Sequence, residues 1–220
     1  LLAIVCCPLA ARGHSMALYR FNDKLVLFVH IPKTGGTSTM RLLASMGGME
    51  AFRQPVPNPD LPCTPQHFHA AILRDLIPPG FVDLAFTIVR NPFDRLASEY
   101  RMRIQEPQHD LSFDEWVLRT LRRYRRNPFI NDNHVRPQHE FLMPGVRQFR
   151  FEAAPFQAIC DAMAEFGVAP PADIPWERRA AHLPLTMTPE TARSIVAFYA
   201  ADFEALCYSW EDLGNTLRLA

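Results

Sequence analysis

A chain of 220 residues, 48% hydrophobic and 21% charged, is long enough to bury a full core as one domain and too ordinary in composition to be disordered or fibrous. Lys plus Arg and Asp plus Glu each total 23, so the formal charge is zero and the basic excess of a general nucleic-acid binder is missing. The five cysteines (Cys6, Cys7, Cys63, Cys160, Cys207) include no Cys-x-x-Cys pair, which argues against a disulfide framework or a zinc site and for a reducing, cytoplasmic setting.

Residues 1–16 read as an N-terminal extension of uncertain origin, and 17–220 as a single domain. The opening "LLAIVCCPLA" is apolar for only ten residues, against the roughly 20 that cross a bilayer, so no stable membrane span is expected. It fits a truncated signal-type or anchor segment, which would suit a Golgi lumen, or sequence upstream of a start at Met16.

"KLVLFVH" (24–30) is a short apolar run of the buried-strand kind. After Gly35-Gly36, "TSTMRLLASMGG" reads as a helix that begins near Thr37 or Ser38 and stops at Gly47. Five prolines in the twelve residues of 54–65 then predict a loop. A second strand, "DLAFTIVR" (83–90), runs into Asn91-Pro92 and another helix. Ser112 and Glu115 form a capping box for a helix with an inward stripe of Phe113, Trp116, Val117, Leu121 and Tyr124. Its other faces carry Arg119, Arg122, Arg123, Arg125 and Arg126, a solvated surface or a grip for an anionic polymer. "VRQFRFEA" (146–153) predicts a third strand. Phe156, Ile159, Met163 and Phe166 mark a helix ending at Gly167, and Thr188-Pro189 opens a last helix with Ile195, Tyr199 and Phe203 inward. Strands alternating with helices predict an α/β fold: a P-loop-like, three-layer arrangement with a mostly parallel central sheet. Ligands in such folds sit at the C-terminal strand ends, where both loops fall.

The first of those loops, "HIPKTGGTS" (30–38), places its Lys before the glycines, whereas a Walker loop places it after them. Glycines permit a tight turn, and the amides of 35–38 at the positive end of a helix would hold one phosphate, helped by the hydroxyls of Thr34, Thr37 and Ser38. Lys33, at the mouth, would lie beside whatever leaves that phosphate. The second loop offers Arg90, a bidentate fork, and Ser98 for a separate phosphate. Two phosphate sites together suggest a nucleotide phosphorylated at two positions.

These motifs resemble those of the sulfotransferases that use 3′-phosphoadenosine 5′-phosphosulfate (PAPS), in particular the branch of carbohydrate and heparan sulfate O-sulfotransferases. "HIPKTGGTS" is similar to the family's 5′-phosphosulfate loop and "IVRNPFDRLASEY" to its 3′-phosphate motif. The resemblance implies that Lys33, Thr34, Gly35, Gly36, Thr37 and Ser38 hold the 5′-phosphosulfate, and that Arg90 and Ser98 hold the 3′-phosphate. It also implies transfer to a hydroxyl of a carbohydrate or other acceptor, with Lys33 stabilising the leaving phosphate and a histidine as base. "QHFHAA" supplies His67 and His69, and the family's His-x-His spacing makes His69 the expected base. His67, His134, Arg136 and Gln138 are candidates to contact the acceptor, and Arg178, Arg179 and His182 fall where the family closes a loop over the nucleotide. No metal is implied.

Two rivals stay open. A small-molecule kinase would need a magnesium-binding carboxylate, for which Asp94 is the candidate. A non-catalytic binder of a 3′-phosphorylated nucleotide would use the same loops without a base.

Overall fold

Asn22-Asp23 forms a two-residue turn with Asn22 in the left-handed region (φ 51°), and it folds "LYRF" back on "KLVLFV" with Phe21 opposite Lys24. In this computed structural model, which describes residues 14–15, 18–51, 53–54, 58–105, 110–174 and 184–220, those segments are β2 and β3 of nine strands. The strands are β1 (His14–Ser15), β2 (Leu18–Phe21), β3 (Lys24–Val29), β4 (Met49–Glu50), β5 (Arg53–Gln54), β6 (Leu84–Val89), β7 (Arg147–Arg150), β8 (Leu185–Met187) and β9 (Leu217–Leu219). The helices are α1 (Gly36–Ser45), α2 (Ala70–Leu76), α3 (Pro92–Arg103), α4 (Phe113–Tyr124), α5 (Phe156–Ala164), α6 (Pro189–Phe198) and α7 (Ala200–Ala205).

The main sheet has the order β4-β2-β3-β6-β7. Its β3, β6 and β7 are parallel, as the alternation predicts, while β2 and β4 add an antiparallel edge. Side-chain alternation divides the core. Val26 and Phe28 of β3, with Leu84, Phe86 and Ile88 of β6, pack under α1 and α5 through Leu42, Leu43, Ile159 and Met163. The opposite face, Leu27 and Val29 with Val89, packs on Leu73 of α2, Phe141 and Leu206. A sheet covered on both faces is the expected three-layer α/β arrangement. A third cluster joins α3, α4 and α6 through Phe93, Leu96, Trp116, Leu121 and Ile195.

Helix ends follow their signals. α1 stops in a Schellman arrangement, with Gly47 (φ 86°) donating to Ala44 O and Gly48 to Leu43 O. Asn91 caps α3 by accepting from the Phe93 amide, and the Ser112–Glu115 box caps α4. Two expectations change. The third strand ends at Arg150, because the chain turns into a short 3-10 helix at Phe151–Ala153. The last helix is two, α6 and α7, broken at Tyr199, whose hydroxyl donates to Val135 O at 2.8 Å. Ile195, Tyr199 and Phe203 all point inward as expected. Among the described residues, no helix is long and apolar enough to cross a membrane. The 1–16 extension lies outside the described residues apart from His14 and Ser15.

Candidate active site

Lys33 and Gly35 both turn left-handed (φ 69° and 98°), which swings the chain from the end of β3 into α1 within six residues. Thr34 is fully buried and donates its hydroxyl to Ile31 O at 2.8 Å, so this hydroxyl braces the turn. Thr37 is exposed and Ser38 half-buried, leaving their hydroxyls at the surface of the first helical turn. That turn carries no acidic residue, so its amide ends keep their attraction for an anion. Gly36 is required for space: a Cβ there would lie 1.7 Å from His30 Nε2. The Lys33 ammonium lies 3.3 Å from the Met102 sulfur of α3.

Arg90, at the C-terminal end of β6, reaches the same loop. Its Nη1 donates to Lys33 O at 3.1 Å, and its guanidinium stacks 4.4 Å from the Phe151 ring, which also lies against Gly35. The two loops expected to bind phosphate therefore meet. Ser98 is half-buried two turns along α3.

Four α3 side chains organise the neighbouring loops. Arg95, fully buried, donates to Pro32 O at 3.0 Å and to His134 O and Arg136 O at 2.9 Å each, tying the glycine loop to residues 134–136. Glu99, also buried, accepts from His134 Nδ1 at 2.7 Å and from Arg103 Nε at 2.8 Å. Burial would raise the Glu99 pKa, but His134 and Arg103 outweigh it and bring it to about 2. Asp94 is occupied otherwise: it accepts from the Asn215 and Thr216 amides and the Thr216 hydroxyl, and so anchors the C-terminal segment. Those bonds fill the carboxylate a kinase would need for magnesium.

Asn131, Asp132 and Asn133 are three successive left-handed residues (φ 53°, 56° and 67°), a strained turn held by its contacts. Thr64 donates both its amide (2.6 Å) and its hydroxyl (2.7 Å) to Asp132, and Asn133 Nδ2 donates to His67 O at 2.8 Å. The turn thereby brings Asp132 Oδ2 to 2.8 Å from His67 Nδ1. A carboxylate only accepts, so Nδ1 carries the hydrogen and Nε2 keeps a lone pair. Burial pushes the His67 pKa down to about 4 against the opposing pull of Asp132, so the ring is neutral at pH 7. Asp132 lies well below the usual carboxylate range, since the His67 and Thr64 hydrogen bonds outweigh its burial. The His67 ring lies 4.7 Å from His134 and 4.9 Å from His30. Burial, then His67 and His134, hold the His30 pKa well below its ordinary value, and Lys33 adds to the same effect.

The expected site residues thus separate. Lys33, Gly35, Gly36 and Arg90 meet at one loop, and His67 and His134 meet beside it. The expected base, His69, caps α2 and packs its ring against Phe129 and Phe141 at 5.7 and 6.4 Å. Gln138, expected to touch the acceptor, is fully buried and both accepts from Arg90 N (3.0 Å) and donates to Arg90 O (2.7 Å). Arg136 likewise turns inward, donating to Asn133 Oδ1 at 2.6 Å and to Glu140, over the Phe129 ring. These two shape the loop that carries His134. Arg178, Arg179 and His182 lie outside the described residues. Sequence reasoning missed Arg95, Glu99 and Asp132. The i, i+4 spacing of Arg95, Glu99 and Arg103 in a helix that must be half-buried is the signal that could have found the first two.

No curated protein matches the chain. Among solved structures, a sulfotransferase from Alicyclobacillus acidocaldarius is similar at 25% identity and a TM-score of 0.40. The match covers 63% of this chain and 60% of that one, so this chain spans well under two thirds of its length. The sulfotransferase family model matches residues 17–209, which take in the Lys33 and Arg90 loops, the histidine cluster and the sheet that positions them, and the chain belongs to the sulfotransferase family.

Proposed function

We propose that the protein is a PAPS-dependent O-sulfotransferase acting on a hydroxyl of a carbohydrate or glycan acceptor, with Lys33 at the leaving phosphate and His67, in place of the expected His69, as the base. The observation that carries this reading is His67, held by Asp132 at Nδ1 and lying 4.9 Å from His30, the ring that packs on Gly36 of the loop that bears Lys33. The residues present fit the donor. Amide ends of α1, the Thr37 and Ser38 hydroxyls and Lys33 suit a 5′-phosphosulfate, and Arg90 with Ser98 suit a 3′-phosphate. When bound, the donor supplies an activated sulfuryl group.

His67 Nε2 takes the proton of the attacking hydroxyl, while Asp132 holds the ring in its tautomer and steadies the imidazolium that forms. Lys33 offsets charge on the phosphate that leaves. His134, oriented by Glu99, faces the same space and is placed to contact the acceptor. Nothing favours the kinase, because Asp94 is filled by the C-terminal segment.

The test is calorimetric titration with 3′-phosphoadenosine 5′-phosphate beside ATP with magnesium. The reading requires tight binding of the first, lost in Arg90→Ala, followed by transfer of labelled sulfate to glycan acceptors. Preference for ATP would overturn it.

A further inference from the structure

We propose that His67, Asp132 and His134 form a binding site for a divalent transition-metal ion, with zinc the best match, and that the ion inhibits turnover by occupying the histidine cluster. One ligand atom from each of the three residues lies within 4.8 Å of the others. Zinc bonds of about 2.0–2.2 Å set tetrahedral ligands roughly 3.3–3.5 Å apart, so the site closes with modest rotation of partly exposed side chains. Asp132 and His134 retain 31% and 13% side-chain exposure, which gives the ion an entry path.

The surroundings repeat the pattern of metal-ligating histidines, whose second nitrogen is held by a carboxylate. Glu99 accepts from His134 Nδ1, and Thr64 fixes the Asp132 carboxylate through its amide and hydroxyl. An independent observation points the same way. The buried His30 has its Nδ1 without a hydrogen-bond partner, on a ring 4.9 Å from His67. A buried imidazole nitrogen left unsatisfied is costly, and a water brought in with the ion would satisfy it. Donor chemistry selects the metal. Two imidazoles with one carboxylate suit zinc, copper or nickel, whereas magnesium and calcium want an all-oxygen shell. The cysteine pattern argues against a thiolate zinc site but leaves this one untouched.

The binding half stands on the cluster alone. The inhibitory half rests on His67 being the base, since an ion shared with Asp132 takes His67 Nδ1 and moves the ring hydrogen to Nε2, whose lone pair the reaction uses. The experiment is titration of the EDTA-stripped, dialysed full chain with Zn2+ in competition with a chromophoric chelator, with Co2+ absorption as a second readout. One equivalent should bind with micromolar or tighter affinity and give a tetrahedral Co2+ spectrum. His134→Gln should weaken it at least tenfold and Glu99→Gln by about 10–100-fold. Cys207→Ser and excess Mg2+ should leave it unchanged. Uptake below one equivalent, affinity unmoved by both His134→Gln and Asp132→Asn, or loss in Cys207→Ser would overturn the site. In a parallel assay Zn2+ should suppress sulfate transfer, with EDTA restoring it. Zinc held by the cluster without loss of turnover would keep the site and overturn both the inhibition and the base role of His67.

Discussion

His67 donates its Nδ1 hydrogen to Asp132 Oδ2 at 2.8 Å across 65 residues of sequence. This contact sets the tautomer of the proposed base, so its loss separates chemistry from binding. His67→Ala should lower kcat by about 10²–10⁴, the usual worth of a general base, with little change in nucleotide affinity. Asp132→Asn should fall between that variant and the wild type, and His69→Ala should do least. With the His67 pKa down at about 4, protonation removes the lone pair only in acid. The rate should therefore stay level through neutral pH and drop as pH falls through about 4. A limb near the ordinary histidine value, or a larger loss in His69→Ala than in His67→Ala, would return the role to His69.

Gly36 and His30 fill one space between them. A methyl at Gly36 would lie 1.7 Å from His30 Nε2, so either the ring or the glycine loop must move. Gly36→Ala should destabilise by about 1–3 kcal/mol, as overpacking does, and weaken binding of 3′-phosphoadenosine 5′-phosphate. His30→Ala in the same chain should recover part of both losses, giving a coupling of about 0.5–3 kcal/mol in thermal melts. Strictly additive losses would mean that the glycine serves only the turn.

Legibility followed the range of the interactions. The strand, the glycine loop and the helix of residues 24–45 rest on local signals, and they stand where the sequence puts them. The hairpin strand at 18–21 carries its own signal in Asn22-Asp23, but its four residues are too few for periodicity to speak. Parallel pairing of β8 with β9 joins three-residue segments some 30 positions apart and leaves no pattern at all. The base is the sharper case. His67 and His69 are equivalent by composition, and what separates them is the turn at 131–133 that delivers Asp132 to one and not the other. Arg136 and Gln138 misled for the same reason: polar residues beside a proline turn read alike whether they face a ligand or a backbone.

Asp94 holds the C-terminal segment through two amides and one hydroxyl. Hydrogen bonds to a charged group are worth about 1.5–3 kcal/mol each, and a chain of this size loses roughly 2–4 °C of Tm per kcal/mol. Asp94→Ala should thus cost roughly 10 °C or more in calorimetry, while the native protein stays indifferent to EDTA beyond any relief from zinc. A variant of unchanged Tm whose loss of activity is rescued by magnesium would revive the kinase.

Buried Arg95 donates to Pro32 O, His134 O and Arg136 O, and replacing it leaves three carbonyls without their donor. Each such group costs about 1–3 kcal/mol when it stays buried. Arg95→Met should therefore destabilise strongly and also raise KM for the donor, since the glycine loop loses its tie to the 134–136 loop. A Tm loss with KM unchanged would confine Arg95 to packing.

Acid should destabilise the fold before it reaches the carboxylates. Unfolded His67 takes a proton near pH 6.5, whereas in the fold burial delays this to about 4, and His30 is shifted the same way. Between those values the unfolded chain binds more protons, so stability falls as pH falls through the window. His67 alone contributes about 2 kcal/mol of loss by pH 5, or roughly 4–8 °C of Tm. His139 works in the opposite sense. Its hydrogen bond to Asp202 raises its pKa, so its stabilisation is full below pH 6.5 and fades as pH climbs through the raised value. Three depressed histidines, His30, His67 and His69, against one raised leave a net loss, measurable by calorimetry at pH 7.5 and 5. His67→Gln should flatten the slope and His139→Gln should steepen it. A Tm that holds or rises toward pH 5 would mean that His67 and His30 charge within the fold.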